Sequence, residues 1–201
     1  FLYSKFLIIW MGFQMKFPFS SETTSFEGVY LLHRDTNVDK RGSFSRLFEP
    51  DWFSEFGLDD EVAQINYSST KLKGTVRGMH YQLPPDADAK IITCVSGKVH
   101  DVVVDVRKGS KTFLKSFEVE LNEADNLSLV ISAGFAHGFQ ALSNNCGLVY
   151  IHNRQYDSFS EKGLHPEDPI IDIKWPEKIA LLSKRDCSHG LLSSGWEGCK
   201  F

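Results

Sequence analysis

From Phe26 onward, hydrophobic and polar positions fall into short runs separated by turn-forming residues. Gly28-Val29-Tyr30-Leu31-Leu32 reads as a strand, and Asp39-Lys40-Arg41-Gly42 as a polar turn leading into Ser43-Phe44-Ser45-Arg46-Leu47-Phe48. Further strands are predicted over 62–67, 75–82, 89–96, 99–106, 113–120, 127–132, 136–142 and 147–153. Gly, Pro, Asn or Asp occupies most of the gaps, as in Ser96-Gly97 and Asn144-Asn145. The run from Val99 to Val106 alternates over part of its length, as a strand with one face on a core should. One short helix is predicted over Pro50 to Gly57, opened by proline and closed by glycine. Past Pro166 the pattern weakens, and 177–186 reads as either a helix or an irregular return. Many short strands at near-even spacing, with no repeat or linker, predict a mainly β fold. An antiparallel jelly-roll barrel with a few short helices is the expected form.

Composition narrows this picture without changing it. The 201 residues suit one domain with a substantial core. Hydrophobic residues make up 42% and charged residues 24%, as in ordinary globular proteins. The net charge of -4 and the lack of a long basic run disfavour nucleic acid and anionic membranes as partners, while leaving room for a local basic pocket. Cys94, Cys146, Cys187 and Cys199 are scattered without a CxxC pair, which favours reduced thiols in a cytoplasmic protein over disulfides or a zinc site. The opening FLYSKFLIIWMGFQ is apolar, too short to span a bilayer, and lacks a signal-peptide cleavage site. The expectation is a start at Met15, with residues 1–14 outside a single domain over 15–201; packing of that stretch as an extra strand is the alternative.

Four clusters carry candidate chemistry. Arg77-Gly78-Met79-His80-Tyr81-Gln82 sets Arg and His three apart on a strand with an expected irregular bend. Lys90 follows the Pro84-Pro85 turn, Gly134-Phe135-Ala136-His137-Gly138-Phe139 places a second His between glycines, and Tyr150 and Tyr156 lie on and just after a later strand. Inward positions of several strands converge inside a barrel. His, Lys, Arg and Tyr meeting there would form an anion-accepting, proton-handling pocket, since each unpaired buried polar group costs a few kcal/mol. Taken singly, each has a plainer reading: a hydrogen-bonded core His80, a strand-ending His137, a solvated Lys90, a packing Tyr150.

Together, these clusters and several other short motifs resemble the dTDP-4-dehydrorhamnose 3,5-epimerase family of the cupin superfamily. The resemblance runs from about Gly28 to Asp186. It rests on Asp39-Lys40-Arg41-Gly42-Ser43-Phe44, Gln64-Ile65-Asn66, the Arg77–Gln82 and Gly134–Phe139 motifs, and Ala89-Lys90. Gly97-Lys98-Val99-His100-Asp101-Val102, Asp168-Pro169 with Ile173-Lys174-Trp175-Pro176, and Leu182-Ser183-Lys184-Arg185-Asp186 complete it. It implies a dimeric jelly roll acting on a nucleotide sugar, a 4-keto-6-deoxy sugar attached to dTDP, with no cofactor. It implies His80 as general base, oriented by Asp186, and Tyr150 as proton donor on the opposite side of the ring. Arg41, Gln64, Asn66, Arg77, Lys90, His137 and Glu161 match substrate-contacting positions, and Phe44, Arg46, Tyr156 and Arg185 complete the implied binding set. Arg41 would reach the partner's pocket from strands around 26–48.

The chemistry accounts for these residue types. Protons on C3 and C5 flank a ketone at C4 and are weakly acidic, so a base must act while cationic groups hold the enolate oxygen. Lys90 and Arg77 suit that charge or the diphosphate. Cupin metal sites use two His separated by one residue with a further His and a carboxylate; Tyr81 and Gln82 follow His80, so no metal is expected. The same absence weighs against a ketoisomerase. The chain departs from the family at His165-Pro166-Glu167, where an aromatic is usual, at Arg185 in place of Lys, at Arg46 where some members have Glu, and by an apparent extra residue between Asn66 and Arg77. Two alternatives remain: an epimerase inverting one carbon (C3 or C5) or acting on a related nucleotide sugar, and a catalytically silent binding barrel, which should have lost His80, Tyr150 or Asp186.

Overall fold

A computed structural model describes residues 19–49, Phe56 and 62–201. The expected helix over Pro50 to Gly57 and the N-terminal stretch 1–14 lie outside the described residues, apart from Phe56. The fold is mainly β. Its strands are β1 (Phe19–Thr23), β2 (Val29–Arg34), β3 (Thr36–Asp39), β4 (Gly42–Ser45), β5 (Gln64–Thr70), β6 (Val76–Gln82) and β7 (Lys90–Ser96). They continue as β8 (Lys98–Asp105), β9 (Ser116–Asn122), β10 (Leu127–Ile131), β11 (Phe135–Ala141), β12 (Cys146–His152) and β13 (Glu161–Gly163). A five-residue helix, α1 (Lys184–Ser188), ends the element order among the described residues.

The strands form a six-stranded sheet, β1-β2-β10-β7-β12-β5, a five-stranded sheet, β13-β6-β11-β8-β9, and the separate hairpin β3-β4. Pairing within all three is antiparallel. Alternation gives each large sheet two faces. The inner faces meet through Val29, Ile92, Cys94, Val99, Val103, Leu129, Phe139 and Leu148. Ile91, Val130 and Ile151 point outward from the six-stranded sheet and pack with Phe19 and Phe56. Val102, Val104 and Ala136 point outward from the other sheet and are covered by Leu164, Ile171 and Ile173, with Trp175, Leu192 and Trp196 packed against them. The weakly patterned stretch after Pro166 therefore roofs the outer face of the five-stranded sheet and keeps its apolar side chains from water.

Along several strands the inner face changes character from one end to the other. On β7, Cys94 and Ile92 are core while Lys90, on the same face, lines a cavity; on β12, Leu148 is core while Tyr150 and His152 line it. The inter-sheet space is thus filled at one end and open at the other.

Three elements went unpredicted. β1, Phe-Ser-Ser-Glu-Thr, is an edge strand with a mostly exposed polar composition, and β13 has only three residues. The polar turn at 39–42 is flanked by β3 as well as β4, so it closes a hairpin. The region 177–186 is irregular until α1, where the Ser183 hydroxyl accepts from the Asp186 amide as an N-cap.

Candidate active site

The open end of the inter-sheet space is a cavity of about 820 Å³, within the usual range for small-molecule sites. His80, Tyr150, Asp186, Gln64, Asn66, Arg77, Lys90, His137, Tyr156, Glu161 and Arg185 all line it. Arg41, Phe44 and Arg46 do not. They lie on or beside the β3-β4 hairpin, where the Arg41 side chain is 91% and Phe44 71% exposed.

Arg77 and His80 share the cavity because β6 carries a bulge. Between the pairs His137↔His80 and Phe139↔Arg77, β11 advances two residues and β6 advances three. In a regular strand residues three apart face opposite sides; the extra residue returns both to one side. The position admits only glycine: Gly78 has φ +121°, and a Cβ there would come within 2.6 Å of the Gly138 Cα. The Arg77 guanidinium is held by Thr70 Oγ1 at 3.0 Å and the Ser69 carbonyl at 3.1 Å.

His80 Nε2 lies 2.7 Å from Asp186 Oδ1. Asp186 is delivered by α1 and is 2% exposed. Burial alone would raise its pKa, but the hydrogen bond and charge of His80, the Ser183 hydroxyl and the Gly78 amide hold it below the usual carboxylate range. An ionised Asp186 only accepts, so Nε2 carries the hydrogen and Nδ1 of the neutral ring is left with a lone pair. Arg185 Nη2 is 3.1 and 3.3 Å from the two ring nitrogens of His80, a near-equal spacing that sets the guanidinium over the ring. Arg185 is itself anchored by Glu161 at 2.9 and 3.0 Å, and Glu161 accepts from Tyr156 Oη at 2.9 Å.

Tyr150 faces the cavity from β12, on the other sheet. His137 meets its ring edge-on at 6.0 Å between centroids, and His152 stacks on it at 6.1 Å. Burial pushes the phenol pKa well above its ordinary value; the neighbouring Ser68 hydroxyl and the Arg77 charge oppose this in part. The Ser68 Oγ is buried without a hydrogen bond of standard length and angle. His137 Nε2 is 2.9 Å from both oxygens of Asp101, which is fully buried. Lys90 Nζ pairs with Asp88 Oδ2 at 3.1 Å, and His152 Nδ1 reaches the same oxygen at 2.9 Å.

Sequence reasoning missed Asp88, Asp101, His152, Ser68 and His189. For His152 a signal existed, because it follows Tyr150 by two positions and so shares its face. Asp101 likewise sits on the inner-face register of a Val-rich strand. His189 occupies space left by Gly163, the register partner of His80, where a Cβ would meet its ring at 2.1 Å. Burial, then the charge of His80, lowers the His189 pKa.

Among the described residues, His80, Asp186 and His189 come nearest to a metal-ligand set, with ligand atoms within 4.8 Å of one another. Two ligands of a tetrahedral zinc with bonds of roughly 2.0 Å would stand about 3.3 Å apart. The 2.7 Å between His80 and Asp186 is hydrogen-bond spacing instead.

The family model described as dTDP-4-dehydrorhamnose 3,5-epimerase matches residues 23–194. A dTDP-4-dehydrorhamnose 3,5-epimerase of Sinorhizobium fredii is 40% identical over 169 residues, 84% of this chain and 87% of the relative. A dTDP-4-dehydrorhamnose 3-epimerase of Streptomyces niveus is 39% identical over 168 residues, 83% of this chain and 81% of the relative. The crystal structure of a dTDP-6-deoxy-D-glucose-3,5-epimerase from Legionella pneumophila, in complex with dTDP-4-keto-L-rhamnose, matches with a TM-score of 0.83. It is 31% identical, with 91% of this chain and 98% of that chain covered.

Proposed function

The chain belongs to the dTDP-4-dehydrorhamnose 3,5-epimerase family, and from that premise we propose the roles of its cavity residues in the isomerase reaction. The reaction is epimerisation of a dTDP-linked 4-keto-6-deoxyhexose at C3 and C5. The observation that carries the assignment is a single cavity with a carboxylate-backed His80 on one sheet and Tyr150 on the other.

His80 Nδ1 takes the proton from C3 or C5, and the C–H electron pair passes through the ring carbon into the C4 oxygen as an enolate. Lys90 and Arg77 supply the positive charge that this oxygen needs in a site shielded from bulk water. Tyr150 then gives its proton to the same carbon from the opposite face, and inversion results. His80 has gained one proton and Tyr150 has lost one; exchange with water restores both. Asp186 fixes the ring of His80 and stabilises the imidazolium. A phenol whose pKa is raised by burial stays protonated at neutral pH, which suits a donor. The chemistry requires no redox cofactor or metal.

The two stacked sheets are read as the halves of a jelly roll. Arg41, Phe44 and Arg46 act in the cavity of a second copy, with the β3-β4 hairpin crossing a homodimer interface. Their absence from the lining of their own cavity and the exposure of Val38 at 76% support this. Arg41→Ala should then weaken dTDP binding, and mixing it with His80→Ala should restore part of the activity. No described helix is long and apolar enough to cross a membrane, and a cytoplasmic enzyme is the corresponding proposal.

The test is solvent-deuterium incorporation into dTDP-4-keto-6-deoxyglucose, followed by NMR, for wild type and His80→Ala. Label at C3 and C5 that disappears in the variant is expected. Label at C3 alone would narrow the reaction to one carbon. No exchange by a folded protein that binds dTDP would turn the reading to a silent binding barrel.

A further inference from the structure

The epimerisation scheme gives no role to the pair formed by His152 and Asp88. His152 follows Tyr150 on the same face of β12, stacked on its ring with an interplanar angle of 16°. Its Nδ1 is 2.9 Å from Asp88 Oδ2, the oxygen that also receives Lys90 Nζ. The side chains of Asp88, Lys90 and His152 are only 6%, 8% and 12% exposed. The backbone beside them is tied as well. Ala89 N donates to Asn153 Oδ1 at 2.7 Å, and Asn153 N to the Ala89 carbonyl at 3.3 Å.

This arrangement fixes the ring's polarity. The Asp88 carboxylate is ionised, with its pKa at about 2; burial raises it, and Lys90 and His152 more than reverse that. It can only accept, so Nδ1 carries the hydrogen and Nε2 of the neutral ring is an acceptor. The partner found for Nε2 is the Asn66 amide at 3.5 Å, the outer limit of a hydrogen bond. The donors Lys90, Arg77 and Asn66 line the same cavity. An acceptor repels a diphosphate or an enolate oxygen, since both are negative; it suits a hydroxyl.

We propose that His152, aimed by Asp88, accepts a hydrogen bond from the C2 hydroxyl of the sugar and so selects substrates that keep it. The inference rests on the epimerase reading. A 4-keto-6-deoxyhexose joined through C1 has ring hydroxyls at C2 and C3. The C3 hydroxyl sits on a reacting carbon and swings across the ring plane on inversion, so a rigid acceptor cannot follow it. The C2 hydroxyl stays in place throughout. Asp88 is the positioning residue of the pair.

The experiment compares kcat/KM for dTDP-4-keto-6-deoxyglucose with its 2-deoxy counterpart, by deuterium exchange, in wild type, His152→Phe and His152→Gln. Phe keeps the stacking ring and removes the acceptor; Gln restores an acceptor oxygen. Wild type should prefer the hydroxylated sugar by about 10³-fold, against the roughly 10⁴–10⁵ that fully buried hydroxyl readout reaches. His152→Phe should bring the ratio within about tenfold, and His152→Gln should recover part of it. Circular dichroism and dTDP binding establish that both variants fold. Equal use of the two sugars by wild type, or an unchanged ratio in His152→Phe, would overturn the inference while leaving the epimerase reading intact. Failure of wild type to exchange either sugar would overturn both.

Discussion

Two histidine–aspartate pairs at the cavity use the same groups in opposite ways. His137 and Asp101 come from neighbouring strands, β11 and β8, close together in register around Phe139↔Asp101. They are 7% and 0% exposed, and both oxygens of Asp101 converge on one ring nitrogen. His80 and Asp186 are 106 residues apart; the ring is 27% exposed, and its carboxylate arrives from α1, outside the sheets. The first pair is assembled by the sheet itself and holds His137 edge-on against Tyr150. The second exists only once the C-terminal segment has docked on the outer face of the five-stranded sheet. Residue type is therefore a poor guide to role. What separates His80, the proposed base, from His137 is how much of the ring is exposed and which element brings the acid.

The contrast is broken most severely at Asp186. Asp186→Asn should lower deuterium exchange about 10²–10³-fold with little change in melting temperature, because the ring loses its anion while the sheets keep their packing. Comparable loss of activity and stability would mean that the two pairs do not differ in kind. Asp101→Ala should show the reverse balance. Removing the acceptor of a buried hydrogen bond to a charged group costs about 1.5–3 kcal/mol, lowering the melting temperature by several degrees. Thermal unfolding of the two variants side by side decides this.

A smaller effect separates Asp88 from both. Its pKa of about 2 lies below the ordinary 3.8, so its ionisation favours the folded state. That contribution, roughly 2 kcal/mol, is complete above about pH 5 and is lost as pH falls through about 2. The stability gap between wild type and Asp88→Asn should therefore narrow from about pH 5 toward about pH 2.5 in urea titrations. A constant gap would show that Asp88 is not held as an anion by Lys90 and His152.

The strands from β5 to β12 were legible because alternating apolar positions must bury one face, and the turns between them carry Gly, Pro, Asn or Asp. β1 and β13 were not: a polar edge strand and a three-residue strand leave almost no periodic signal. Of the site, the Arg77–Gln82 and Gly134–Phe139 motifs announced themselves, and Gly78 explains why an odd spacing can serve one cavity. Asp88 escaped notice because one of two acids just after a Pro-Pro turn looks like any solvated loop residue.

By itself, the sequence determined the mainly β class, the candidate proton-handling groups and the family to which the chain belongs. Those properties are written in local pattern and residue type. Only the tertiary structure decided that Asp101 serves His137 and Asp88 serves His152, and that Arg41, Phe44 and Arg46 stand apart from their own cavity. Such pairings depend on register, on one extra residue in β6, and on where a weakly patterned C-terminal segment docks. Those are properties of packing between distant elements, to which alternation along any one strand is blind.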